Sequence, residues 1–228
     1  MRRLIYVPII HGPADLGSAA AAAQEKGIAL CGEARWRQHQ ETIARFWAGL
    51  ADYFRGIDAA NLRIYQDGLV ADGEIGMRIV EDAAGKGSEN YRIISSLVAR
   101  GAAIRKTEDL GTVKAELDRV LSIVRATSVW RRLWAALCYR LRQGQLLRRR
   151  DDYIARAITD TLQPGEVGVL FAGAHHDVVS QLPPDIEVCP LRDRQELVAY
   201  QRVLLSRGKD ARFEELAASI CAPIVPPG

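Results

Sequence analysis

Histidine, cysteine and methionine are scarce in this chain: four, four and two in 228 residues. The cysteines, Cys31, Cys138, Cys189 and Cys221, lie far apart with no Cys-x-x-Cys pair. That spacing argues against a zinc ribbon or a thioredoxin-type motif. Scattered thiols suit a reducing cytosol, where they act as small core residues, and a cytoplasmic location is expected. No stretch reaches the roughly 18 apolar residues that a bilayer span requires. The opening MRRLIYVPIIHG begins like a signal peptide, with two arginines and an apolar run. The run contains Pro8, stops at His11 and meets no secretory-type cleavage site, so it reads as a first strand. There is no Walker or dinucleotide glycine loop and no His-Glu-x-x-His signature. GKGS at residues 85–88 is a weak anion-loop candidate, and an ordinary interhelical turn reads the same way. Nothing beside Ser88 or Cys31 in sequence makes a nucleophile elbow or a triad.

What is present fits one globular domain over residues 1–228. The chain is 48% hydrophobic and 26% charged, with a net charge of +3. That charge is too small to argue for a nucleic-acid partner. Short β-branched runs at residues 4–10, 62–66, 102–105, 167–172 and 186–191 predict strands. Helical spacing predicts helices over 33–55, 75–84, 89–99, 110–125, 195–206 and 211–220. Residues 130–162 read as mostly helical, with a bend near Gly144, and the alanine run near residues 18–23 as a helix start. Strands separated by helices point to an α/β fold. Its central sheet would be largely parallel or mixed, with helices on both faces.

In such sheets ligands bind beyond the carboxyl ends of the strands. His11, Asp67, Glu108 and the pair His175-His176 each follow a predicted strand. If those strands are neighbours, the residues meet in one pocket. Histidine serves as a base or a metal ligand, and carboxylates orient it or share the metal. The candidate catalytic set is His11, Asp67, Glu108 and His176. His11, His175, His176 and Asp177 are candidate metal ligands. Asp15, Ser88, Asn90 and Arg150 are candidate substrate contacts. Taken singly, His11, Asp15, Asp67, Glu108, His175, His176 or Asp177 also reads as a strand-end residue capping the next helix.

Residues 130–150 hold seven arginines and no acid: Arg131, Arg132, Arg140, Arg142, Arg148, Arg149 and Arg150. Trp130, Leu133, Trp134, Leu137 and Leu141 form an apolar stripe along the same helix. Such a helix can lie on an anionic membrane or contact nucleic-acid phosphates. The favoured reading is a surface helix packed on the sheet, its arginines paired with some of the 28 acids.

The segment RRRDDYIARAITDTLQPGEVGVLFAGAHHDVVSQLPPDIEV, residues 148–188, resembles the closing segment of the TraB/TIKI group, within the erythromycin-esterase/ChaN-like superfamily. The shared features are an Arg-Asp pair at 150–151, the strand at 167–172, Gly173-Ala174-His175-His176 and Leu182-Pro183. An earlier Gly-x-x-His is matched by PIIH at 8–11, with Pro8 in place of glycine. Asp67 and Glu108 match later acidic positions. The resemblance implies an α/β fold of two related halves whose strand-end histidines and acids face one cleft. It implies metal-dependent peptidase, His-base hydrolase or haem-binding chemistry. The expectation is therefore a hydrolase of a peptide or ester-like bond acting on a small-molecule or peptide substrate. Its candidate cofactor is a divalent metal (manganese, zinc, iron or cobalt). The alternatives are a haem or small-ligand binding protein without turnover, and a regulatory protein using its arginine-rich helix on anionic partners.

Overall fold

The computed structural model describes residues 1–12, 14–15, 20–109, 111, 129–206, 208 and 210–224, and of residues 129–143 the helical backbone alone. The helix expected at 110–125 and the apolar stripe of residues 130–141 fall outside the described residues and side chains.

The elements in order are β1 (Arg2–Ile9), α1 (Ala20–Cys31), α2 (Glu33–Arg55), β2 (Leu62–Gln66), α3 (Gly73–Gly85), α4 (Glu89–Ala99) and β3 (Ala103–Arg105). There follow α5 (Val129–Thr161), β4 (Val167–Gly173), β5 (Ile186–Pro190), α6 (Arg194–Leu204) and α7 (Asp210–Ile220). The five strands form one parallel sheet in the order β3-β2-β4-β1-β5. α5 runs unbroken through Gly144, where a bend is expected. One interior glycine costs a helix about 1 kcal/mol against alanine, too little to interrupt a long ladder.

Both faces of the sheet are covered, as a parallel sheet requires. Alternation along each strand divides the core in two. Ile5, Val7, Ile9, Ile64, Val169 and Phe171 pack under α2, α4, α6 and α7. Leu4, Tyr6, Tyr65, Leu170 and Ala172 pack against Ile154, Ala155 and Ile158 of α5 and Leu162 just beyond it. Burying each large aliphatic side chain contributes roughly 1.5–3 kcal/mol, so Ile154, Ile158 and Leu162 fix the second half of α5 on the sheet. Arg2 ties that end down by donating to the Thr159 carbonyl at 2.6 Å. Because α5 leads directly into β4, its buried half runs back along the sheet. Arg150 and Asp151 thereby stand at the carboxyl ends of the strands.

Pro8 lies in β1, which has neighbours on both sides, although proline is normally excluded from such strands. Tyr6 accepts from the Leu191 N–H at 2.9 Å and so faces β5. Pro8, two residues on, faces the same side. The β1–β5 pairing has already ended at Tyr6↔Pro190, so no ladder bond is lost.

Candidate active site

Four strand ends and one helix converge on the carboxyl rim of the sheet. Asp67 continues β2 by donating its N–H to the Phe171 carbonyl at 2.9 Å. The chain then turns at Gly68, whose φ of 83° is the left-handed conformation that glycine adopts without a Cβ penalty. Thr107 fastens the end of β3 to this turn. Its hydroxyl donates to the Gln66 carbonyl, and its N–H donates to the Leu69 carbonyl at 2.8 Å. Asp67 and Glu108 are thus brought side by side. At the end of β4 the His176 N–H closes a turn on the Gly173 carbonyl at 2.9 Å. His11 follows β1, whose Ile9 lies opposite Gly173 in the ladder.

The side chains form a chain of alternating charge. Asp151 Oδ1 is 2.6 Å from His176 Nδ1, and His176 Nε2 is 2.9 Å from Asp67 Oδ2. Arg150 donates to Asp67 Oδ1 at 2.9 Å and reaches both oxygens of Glu108 at 3.1 Å. His176, Asp67, Glu108 and Asp151 have side chains no more than 10% exposed, against 31% for Arg150. Burial opposes the charged form of His176, but the contacts with Asp67 and Asp151 outweigh it and raise its pKa above 6.5. Burial likewise opposes the Asp67 carboxylate. The His176 hydrogen bond and charge, then Arg150 and His11, outweigh it and hold Asp67 below the ordinary aspartate value. Buried ions are tolerated only when paired and hydrogen-bonded, as these are.

His11 stands differently. Its side chain is 53% exposed, and Nδ1 lies 4.0 Å from Asp15 Oδ2. Asp15 is held by the Gly12 N–H at 2.7 Å and by the Ser88 hydroxyl. Ser88 also caps α4, accepting from the Tyr91 N–H at 3.4 Å. A side chain on Gly173 would start 3.5 Å from His176 Cδ2 and 3.9 Å from His11 Nε2, so the two rings share the open side of that glycine.

Not all the expected residues join this group. His175 is exposed and faces a separate recess beside Arg194 and Arg202. The Asp177 carboxylate pairs with Arg194 at 3.1 Å and accepts from Ser180 at 2.9 Å, while its N–H bonds Asp151 Oδ2. Asn90 is buried and props Gln66, donating to Oε1 at 2.7 Å. Its Oδ1 has no hydrogen-bond partner among the described residues. Arg148 and Arg149 are exposed, and Arg150 alone of the three enters the cluster.

Two participants have no signal in the sequence strong enough to single them out. Asp151 reads there only as half of an Arg-Asp pair in a helix. Tyr91 reads as an ordinary helix residue. Its hydroxyl is pushed up to about 12 by burial and then by the charges of Asp67 and Asp15.

Among the described residues no three of His, Cys, Asp and Glu are arranged to hold a metal ion. The donors one would choose are engaged: His176 at both ring nitrogens, and Asp67 and Glu108 by Arg150. As arranged, this set does not suit a resident metal. The same engagement leaves His176 without a free nitrogen for haem iron.

A cavity of about 580 Å³ opens beside His11 and Asp15, between α1 and α2. That volume is within the roughly 300–1,000 Å³ typical of small-molecule sites. No described helix is long and apolar enough to cross a membrane. Comparison with family models, with curated proteins and with solved structures gave no match.

Proposed function

We propose that the protein is a hydrolase of an ester-like or peptide bond, with His11 as its general base. The observation that carries this reading is the placement of His11. It is a half-exposed imidazole at the mouth of a cavity, 4.0 Å from the Asp15 carboxylate and sharing the open side of Gly173 with His176. His176 is buried with both nitrogens engaged, so its role is positioning: it keeps Asp67 ionised and in place.

The chemistry follows from those positions. A neutral His11 nitrogen takes a proton from water as the water oxygen attacks the substrate carbonyl carbon. The carbonyl electron pair moves to oxygen. The partly exposed Arg150 guanidinium, fixed by two carboxylates, supplies positive charge to that oxyanion. The Asp15 carboxylate stands 4.0 Å from the imidazole that carries the proton. Collapse of the intermediate expels the alcohol or amine, which takes the proton back from His11. No step runs through a metal. The resemblance to the TraB/TIKI group fits a His-base hydrolase. The free thiols of Cys31, Cys189 and Cys221 fit a reducing, cytoplasmic setting.

The test is kcat/KM on a panel of neutral p-nitrophenyl esters and short peptides, wild type beside His11→Asn. Loss of a general base lowers the rate by about 10²–10⁴-fold. The unfolding midpoint should not move, because His11 is half exposed. Undiminished turnover by His11→Asn, or no turnover of any panel member by wild type, would remove the reading. Metal content by mass spectrometry should be far below stoichiometric. Near-stoichiometric metal lost in His11→Asn would replace this mechanism with a metal-assisted one.

A further inference from the structure

The cavity between α1 and α2 has a composition of its own. Small residues of α2 make the space: Ala44, Ala48 and Ala51 line one side, and α1 supplies Ala20 and Ala23 opposite. Trp36, Trp47 and Ile43 close the apolar wall. Gly27 of α1 sits on the Trp36 ring of α2. A Cβ there would lie 2.2 Å from Trp36 Cζ3. Residues of both helices line the cavity.

Polar groups gather at the end shared with the candidate active site. His11, Asp15 and Ser88 line the cavity there, and Glu89 stands beside them. His39 also borders it, but carries no charge at neutral pH. Burial pushes its pKa down to about 4, and its Nδ1 is 2.8 Å from the Tyr200 hydroxyl. No lysine or arginine is among the described lining residues. The cavity is mostly apolar, with Gln24 and Gln40 among its lining, and Asp15 gives its mouth an acidic edge, while Glu89 is paired with Arg92 at 2.6 Å. An acidic mouth repels a free carboxylate and accepts a neutral group.

We infer that this chamber seats the apolar acyl or aryl part of a neutral amphiphilic ester or amide, whose scissile bond then lies at His11. This inference rests on the hydrolase reading for the bond cleaved, and on the cavity alone for the group bound.

The probes are octanamide, followed through the fluorescence of Trp36 and Trp47 and by calorimetry, and the p-nitrophenyl acetate and octanoate pair. The variant is Ala48→Phe, which fills the chamber from an exposed position of α2. Octanamide should bind wild type and bind Ala48→Phe at least about tenfold more weakly. Turnover of the octanoate ester should fall by about the same factor, with the acetate ester spared. Free octanoate should bind much more weakly than octanamide.

The seat is overturned if octanamide does not bind wild type, or binds a cooperatively folded Ala48→Phe equally well. Equal affinity for octanoate and octanamide overturns the preference for a neutral group. Octanamide binding that Ala48→Phe abolishes, with no ester turned over, leaves the seat standing and removes the hydrolase reading instead.

Discussion

Asp151 grips the loop after β4 twice. One carboxylate oxygen is 2.6 Å from His176 Nδ1, and the other accepts the Asp177 N–H at 3.0 Å. A residue in the middle of α5 thus fixes a strand end on the opposite side of a helix–sheet interface. Asp151→Ala should destabilise the protein by about 3 kcal/mol, the usual cost of removing one partner from a buried ion pair. Asp151→Asn keeps an acceptor for the Asp177 N–H and should recover part of that loss. Urea unfolding of both variants measures it. Imidazole NMR should show the His176 pKa falling in each. Equal stability of wild type and Asp151→Ala would mean that the grip contributes nothing.

Stability should depend on pH through the same cluster. The folded pKa of His176 is raised above 6.5. Its contribution is complete below about pH 6.5 and is lost as pH rises through the raised folded value. The folded pKa of Asp67 is lowered from 3.8. Its contribution is complete above that value and is lost as pH falls through the lowered one. Unfolding free energy measured from pH 3 to 9 should be highest between those limits. His176→Gln should flatten the alkaline limb specifically. An alkaline limb of unchanged slope in that variant would assign it to other groups.

Gly173→Ala places a methyl group between the two histidines. The contacts, 3.5 Å to His176 and 3.9 Å to His11, are ordinary van der Waals distances, so the fold should survive. The methyl occupies the gap that a reacting molecule would enter. Turnover should drop at least about tenfold with an unchanged unfolding midpoint, since small misplacements at a reacting centre carry large rate costs. Full activity would put the reacting molecule elsewhere.

At Gly27 two effects compete. Alanine in a helix interior gains up to about 1 kcal/mol over glycine. Against this, its Cβ would meet the Trp36 ring at 2.2 Å, and overpacking of that kind costs about 1–3 kcal/mol. The clash should win. Gly27→Ala is expected to lower stability modestly, shift tryptophan emission to the red and weaken octanamide binding. A gain in stability would show that α1 moves aside without cost.

The strands were readable where period and punctuation agreed. Leu62–Gln66 ends at an Asp-Gly turn, and β2 occupies those residues. Glu33–Arg55 carries a complete apolar stripe, and α2 has those bounds. The rim positions of His11, Asp67, Glu108 and His176 follow from the strand ends alone. Adjacent His175 and His176 could not be separated, because the turn after Gly173 decides which ring points inward. Asp151 was hidden for a different reason: its partner is 25 residues away, and only the docking of α5 on the sheet brings them together. The chamber was hidden because alanines on α2 create space without disturbing the helical period.

The strand order β3-β2-β4-β1-β5 has a consequence for how the chain assembles. β1 is synthesised first, yet its two partners are β4, beginning at Val167, and β5, beginning at Ile186. β2 and β3 can pair with each other early, but only β4 joins that pair to β1. On the ribosome, His11 and Asp67 therefore belong to two separate pieces until residues 167–173 emerge. Contacts of such long sequence separation slow folding. The group of charges at the rim can form only once β4 and His176 have emerged, and a chain truncated before β4 has no strand to join β1 to the β2–β3 pair.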